Sequence, residues 1–160
     1  MTTDNCMKQV HIITPVKDSI DLTLETARAV LASRWHVPVT YTIYNDFSTD
    51  ENTRRLEEAS QELGFELVNL RDITSHPSPN YLLVLQMAQK RAIEAEAGLL
   101  IVESDVIVRE DTLQGLFDGA LAHPDCGIAA SVTVDEQGTV NYPYLYASDY
   151  PKEACEVKKH

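Results

Sequence analysis

The chain alternates short runs of β-branched and apolar residues with longer stretches in which apolar side chains recur at helical spacing. That alternation restricts the fold more than any other feature, because it calls for a mostly parallel sheet with helices packed on it. The first run, Val10 to Thr14 (VHIIT), is expected to stop at Pro15. Ile20 to Ala32 follows with Ile20, Leu24, Ala27 and Leu31 on one side, and Asp18 or Ser19 stands where a helix cap belongs. Thr40 to Tyr44 (TYTIY) reads as a second strand and NDFSTDEN as a turn. In that turn Ser48, Thr49 and Asp50 offer cap oxygens to a charged amphipathic helix ending near Gly64. Phe65 to Leu70 is a short third strand.

Arg71 to Asn80 (RDITSHPSPN) is a polar loop with two prolines. Tyr81 to Ala97 reads as a long helix with Leu82, Leu85, Ala88, Ala92 and Ile93 inward, ended by Gly98. Leu99 to Val102 (LLIV) has the near-continuous apolar character of a central strand buried on both faces. Asp111 with Gln114 forms a capping-box pattern for a helix to about Ala122. Gly127 to Val134 is expected as a fifth strand, turned by Asp135 to Gly138 into a weaker one near Thr139 to Tyr142. The order predicts a doubly wound α/β sandwich: a Rossmann-like, mostly parallel central sheet with helices on both faces. At 160 residues it is one domain, with residues 1–8 as a tail, 9–142 as the folded unit and 143–160 as an irregular C-terminal tail.

Charge removes several function classes. Thirteen Lys and Arg against twenty-five Asp and Glu give a net charge of −12. Nucleic acid and anionic membranes are thereby disfavoured, since the phosphate term would be repulsive. No apolar run approaches the roughly 20 residues of a membrane span, and the start of the chain lacks a signal-peptide pattern. Cys6, Cys126 and Cys155 are odd in number and far apart, so free thiols in a reducing, cytoplasmic setting are expected. His11, His36, His76, His123 and His160 show no ligand spacing and read as structural or surface residues. Tyr142, Tyr144, Tyr146 and Tyr150 read either as a packing surface or as a sugar-facing patch. Dinucleotide-binding GxGxxG, the P-loop pattern and the GxSxG elbow are all absent.

Ligands in such sheets bind outside the carboxyl ends of strands. Three polar clusters fall there: Pro15-Val16-Lys17-Asp18, Asn45 to Asp50, and Glu103-Ser104-Asp105. No Lys or Arg cluster accompanies them. Glu103 and Asp105 are two residues apart, so their carboxylates point the same way if the chain stays extended. Such a pair suits a hard divalent ion, Mg²⁺ or Mn²⁺, shared with substrate phosphates. It equally suits acids capping a loop. Asp46 reads either as a turn or cap residue or as an acceptor for a base or ribose edge.

In this order and setting the clusters resemble the nucleotide-binding half of a family 2 glycosyltransferase of the GT-A type. HIITPVKDS fills the place of the family's first strand and proline turn, YTIYNDFSTD that of its acid-rich second turn, and LLIVESDVIVREDTLQGLF that of its DxD metal motif. The resemblance covers roughly Val10 to Val134. It implies that Pro15 and Val16 line a base pocket through backbone and that Asp46 meets the base edge. It further implies that Glu103 lies near ribose or metal and that Asp105 ligates the metal bridging the diphosphate. Asp18 and Ser104 are counted with the residues binding the nucleotide sugar. The chain departs from the family at Lys17 and Asp18, where an aromatic and an Asn are usual, at Phe47 for a glycine, and at Glu103 for an Asp. It also reads Ala88-Gln89-Lys90-Arg91-Ala92 where the family often has Ala-Arg-Asn-x-Gly.

The activity implied is sugar transfer from a nucleotide-diphosphate donor to a saccharide or lipid-linked acceptor hydroxyl. The general base is expected outside this chain, because Asp135-Glu136 sits in a tight turn, so the domain reads as truncated and incapable of transfer alone. An uncovered apolar side of the tail would then favour self-association. Two other readings remain open: a non-catalytic nucleotide-binding or interaction module on the same fold, and a haloacid-dehalogenase-like phosphatase. The second needs an Asp nucleophile on the first strand, where this chain has no acid pair.

Overall fold

A computed structural model of the chain describes residues 7–123, 125–135 and 137–140. The elements run β1 (Gln9–Val16), α1 (Ile20–Leu31), β2 (Val39–Asn45), α2 (Asp50–Leu63), β3 (Glu66–Asn69), a 3-10 turn (Leu70–Asp72), α3 (Tyr81–Glu94), β4 (Ala97–Ile101) and α4 (Thr112–Ala122). The strands form one parallel four-stranded sheet in the order β3-β2-β1-β4. Among the described residues no helix is long and apolar enough to cross a membrane.

The strand order explains where the helices lie. From β1 to β2 to β3 the chain steps one way, and from β3 to β4 it steps back across β1. Crossovers of one hand therefore leave α1 and α2 on one face and send α3 to the other. The two cores follow that division. Ile12 and Ile43 pack with Ala27, Val30, Leu56, Leu113 and Phe117 on the α1, α2 and α4 face. Ile13 and Tyr44 pack with Val84 and Ala88 on the α3 face. Each of the Val, Leu, Ile and Phe side chains contributes about 1.5–3 kcal/mol by leaving water. The Arg91 guanidinium of α3 also reaches Glu66 of β3 at 2.5 Å, with Thr42 donating to the same carboxylate oxygen.

Several expectations are corrected. β1 does not stop at Pro15: it continues to Val16, with Pro15 opposite Tyr44. Proline is tolerated because β4 has ended its pairing with β1 at Ile13, so no partner there needs its missing N–H. Gly98 lies inside β4 rather than ending α3, whose last residue is Glu94. Its place in the strand has a packing reason, since a Cβ there would come within 3.1 Å of the Phe117 ring. The helix instead ends over Ala95 and turns at Glu96, which takes a positive φ of 50°.

β4 is not a strand buried on both faces. Among the described residues it is the sheet's edge, with only half-buried side chains and Ile101 42% exposed. On α3 the inward row is Val84, Ala88 and Ala92, while Leu82 and Ile93 face outward. On α1, Leu31 is exposed and Thr23, Thr26 and Val30 are buried instead. β3 is shorter than expected, since Leu70 already begins the 3-10 turn. The Asp111–Gln114 capping box does not form: Gln114 accepts from the His36 amide and donates to Asp118.

Gly127 to Val134 does not form the expected fifth strand. Only Val134 pairs there, in an isolated antiparallel bridge to Val140 around the predicted turn, where Asp135 accepts from the Gln137 and Thr139 amides. Cys126 is exposed and unbridged. Cys6, Cys155, Glu136 and the four C-terminal tyrosines lie outside the described residues.

Glu96 provides a test of this geometry. It is exposed, and its left-handed backbone costs an L-residue about 1–2 kcal/mol. Glycine removes that strain but gains unfolded-state freedom worth about 0.4–1 kcal/mol. Glu96→Gly is therefore expected to stabilise the fold by about 0.5–1 kcal/mol, read as a rise of a few degrees in melting temperature. A fall in melting temperature would show that the turn between α3 and β4 is built differently.

Candidate functional site

Parallel strands put all their carboxyl ends on one edge, and here the strand order reverses between β1 and β4. That makes the mouth between them the switch point at which doubly wound sheets bind ligands. The last paired row is Ile13 with Ile101, extended by the Val102 amide donating to the Ile13 carbonyl at 2.9 Å. Two residues further on stand Pro15 on one side and Glu103 on the other.

The β1 and β2 exits are tied together by polar groups. Asp18 takes a positive φ of 62°, which Asp tolerates better than most residues. Its amide donates to the Ser48 hydroxyl at 2.9 Å, while its Oδ1 accepts from the Thr49 amide at 2.7 Å and from Asn52 at 3.1 Å. These bonds, the Thr49 amide first, hold the Asp18 carboxyl below the usual carboxylate range. Neither Asp18 nor Ser19 caps α1 through its side chain, whereas Thr49 does cap α2 by accepting from the Asn52 amide. Ser48 is buried: its amide donates to Asn45 Oδ1 and its carbonyl accepts from Arg71 at 2.7 Å. Arg71 also pairs with Asp50 at 2.7 Å, so the fold brings a cation to an edge where the sequence had offered no cluster.

Phe47, standing where a glycine is usual in the family it resembles, adopts a φ of 60°. A glycine would hold that turn without strain.

Asp46 neither caps α2 nor forms the turn, since Thr49 and Asn45 do those things. Instead it reaches the loop before α3. Its Oδ2 accepts from the Ser78 hydroxyl and the Asn80 amide, and its Oδ1 from the Asn80 side chain, all at 2.8 Å. Burial pushes its pKa up, but the Asn80 and Ser78 bonds together outweigh burial and leave the carboxyl below its ordinary value. Lys17 adds a favourable charge to both Asp46 and Asp18. The next residue, Tyr81, donates its hydroxyl to Glu103 Oε1 at 3.2 Å. Burial and the Glu103 charge push the Tyr81 hydroxyl up.

Of the residues singled out from sequence, Pro15 and Val16 line the end of β1, half-buried and buried respectively. Glu103 and Asp105 are exposed, with Ser104 half-buried between them, and Ser104 and Asp105 lie in a turn rather than an extended segment. Asp18 and Asp46 are joined through the 45–52 turn, and Asp46 and Glu103 through Asn80 and Tyr81. Ser78, Asn80, Tyr81 and Arg71 were not singled out from sequence. Asn80 alone carried a signal, as a cap-type residue immediately before an apolar periodic stretch. His11 is buried, with Nδ1 2.7 Å from the Thr40 hydroxyl, and is structural.

A metal ion would find an all-oxygen donor set at Glu103, Ser104 and Asp105, which suits a hard divalent cation. Among the described residues no group of three or more His, Cys, Asp or Glu side chains could hold one. Two carboxylates fit an ion that takes its remaining ligands from phosphate and water.

No family profile matches the sequence, and no curated protein sequence matches it. Solved structures do. S. aureus TarS in complex with UDP-GlcNAc matches at a TM-score of 0.52 and 18% identity, over 81% of this chain and 39% of that one. A mannosyltransferase from Pyrobaculum calidifontis in complex with GDP-Man and Mn²⁺ matches at 0.51 and 19% identity, over 72% and 32%. The fold is that of the GT-A glycosyltransferases. A second TarS structure agrees, at a TM-score of 0.52 and 20% identity, over 72% of this chain and 20% of its own. The chain thus spans between a fifth and two fifths of the length of these GT-A proteins.

Asp46→Ala leaves buried Asn80 donors unpaired and is expected to cost about 2 kcal/mol of stability. Because the folded-state pKa is depressed, the stabilisation is present at neutral pH and lost as pH falls through that lowered value. Denaturant melts at pH 7 and at about pH 3 check this: the gap between wild type and variant should shrink in acid. A gap that widened in acid would remove Asp46 from this network.

Proposed function

We propose that the chain is the nucleotide-sugar-binding part of a glycosyltransferase that uses a divalent metal to transfer a sugar to an acceptor hydroxyl. The observation that supports this is that the Pro15–Asp18 and Glu103–Asp105 segments leave neighbouring strands on the two sides of the β1/β4 switch point of a GT-A fold. The neighbours solved in complex with UDP-GlcNAc, or with GDP-Man and Mn²⁺, are in keeping with it.

In this reading Pro15 and Val16 present backbone and apolar surface to the base. Asp46 Oδ1 takes one hydrogen bond from Asn80 and retains a lone pair for a base N–H. Asp18 holds the β1 exit against the β2 turn so that these groups keep their spacing. Glu103 and Asp105 would hold Mg²⁺ or Mn²⁺, with Ser104 beside the ribose or phosphate. The bound ion supplies charge neutralisation for the diphosphate leaving group. A net charge of −12 opposes any diphosphate, so carboxylates at the site are useful only with a cation between.

A second reading, nucleotide binding without turnover, is favoured by one observation: Asp46 is nearly enclosed and already accepts from Ser78 and Asn80. Intact protein that binds nucleotide sugar yet releases no nucleoside diphosphate with any acceptor would select it.

Calorimetric titration with UDP and GDP, with and without Mn²⁺, tests the main reading. Binding is expected only with the metal, and equal binding in excess chelator would overturn the metal assignment. Asp105→Asn is expected to weaken metal-dependent binding by at least the 10–100-fold typical of supporting groups around a metal, and by more than Glu103→Gln. Unchanged affinity in both variants would return the motif to a loop-capping role.

A further inference from the structure

The Asp46 turn and the Glu103–Asp105 turn leave non-neighbouring strands, β2 and β4, with β1 between them. One dipeptide of α3's start touches both. Asn80 is buried and clamped by Asp46 through its amide and its side chain, each at 2.8 Å, and its side chain also donates to the His76 carbonyl at 3.1 Å. The Asn80 amide group is thereby oriented without ambiguity, because a carboxylate can only accept. That clamp sets where α3 begins, and Tyr81 is its first residue. From there the phenol spans to the far side of the switch point and donates to Glu103.

We propose, resting on the donor-binding reading above, that Tyr81 is a positioning residue. Its hydroxyl holds one oxygen of Glu103, leaving the other directed to the cation that accompanies a nucleoside diphosphate, and Asn80 and Asp46 hold Tyr81 in place for this. Glu103 is exposed and one methylene longer than an Asp, so without a partner its carboxylate samples many rotamers. A fixed donor removes part of that freedom before the ion arrives. The same device connects the two halves of the site: a base held at Asp46 and a metal at Glu103 are then kept in one frame, rather than on two independent loops.

The test measures Mn²⁺-dependent UDP and GDP affinity of the whole chain by calorimetry, with melting temperature alongside. Tyr81→Phe keeps the ring and removes only the hydroxyl. It is expected to raise the Mn²⁺ concentration for half-maximal nucleotide binding roughly 3- to 10-fold, the worth of one hydrogen bond, without lowering the melting temperature. In a Glu103→Ala background, which leaves the phenol no acceptor there, the same substitution is expected to change little of the metal-dependent binding that remains, since the cycle isolates the pair. Leu82→Ala, on the exposed neighbour, should change nothing. A full Tyr81→Phe effect that persists beside Glu103→Ala would mean that the phenol acts elsewhere and would overturn the inference. So would wild-type affinity in Tyr81→Phe; in both cases metal-dependent binding by the wild-type chain would leave the donor-binding reading standing. If the wild-type chain binds neither nucleotide with Mn²⁺, both fall together.

Discussion

β1 is paired in parallel on both sides, to β2 over seven rows from Val10 to Val16 and to β4 over five from Gln9 to Ile13. Everything at the carboxyl edge depends on that unequal pairing. A central parallel strand is covered on both faces, because the helices of its crossover connections pack on the two sides of the sheet. Ile12 and Ile13 are accordingly without measurable exposure on opposite faces, one in each core. The inequality matters as much as the pairing. Since β4 drops out three rows before β1 does, Thr14, Pro15 and Val16 extend past its last paired row, and the chain leaving β4 flanks them.

The loops around that edge are not loosely solvated. Asn45, Asp46, Ser48 and Asn80 are all buried, and buried polar groups without partners are expensive. The partners are other loops. Asp18 bonds to Thr49 and Asn52, Ser48 to Arg71, Asp46 to Ser78 and Asn80, and Tyr81 to Glu103. The exits of three strands and the start of α3 are thus held as one polar layer on the sheet. Such preorganisation is what a site needs if a ligand is to bind without first paying to order its loops. Left-handed backbone at Asp18 and Phe47 belongs to the same layer, since both turns must reverse within a few residues of the sheet.

Much of the fold was legible because hydrophobic periodicity survives in single elements. The β1, β2, α2 and α4 segments lie within a residue or two of where their patterns put them, and Thr49 and Gly64 bound α2 through their chemistry. Failures have local causes. Gly98 reads as a helix stop, but it is small to admit Phe117, a requirement imposed by α4, an element beyond the end of its own strand. LLIV reads as a doubly buried strand because apolar composition cannot distinguish a central strand from an edge. The inner row of α3 was displaced because Leu82 and Ile93 are apolar and exposed, while small Ala88 and Ala92 face the sheet.

The candidate site divides the same way. Sequence alone determined the alternation of strand and helix, and hence a doubly wound sheet whose polar clusters follow strands. It also determined the acidic balance, a net charge of −12, which disfavours nucleic acid and anionic membranes. Strand order could not be read from it, since local patterns carry no information about which strands are neighbours. Only the tertiary structure put β4 beside β1, and so made the segments leaving the two strands neighbours. Only it turned Asp46 towards Asn80 and brought the Tyr81 hydroxyl to Glu103, pairings 34 and 22 residues apart along the chain. Periodicity reports which face of an element is buried, whereas a hydrogen bond between loops exists only once the strands beneath them have been put in order.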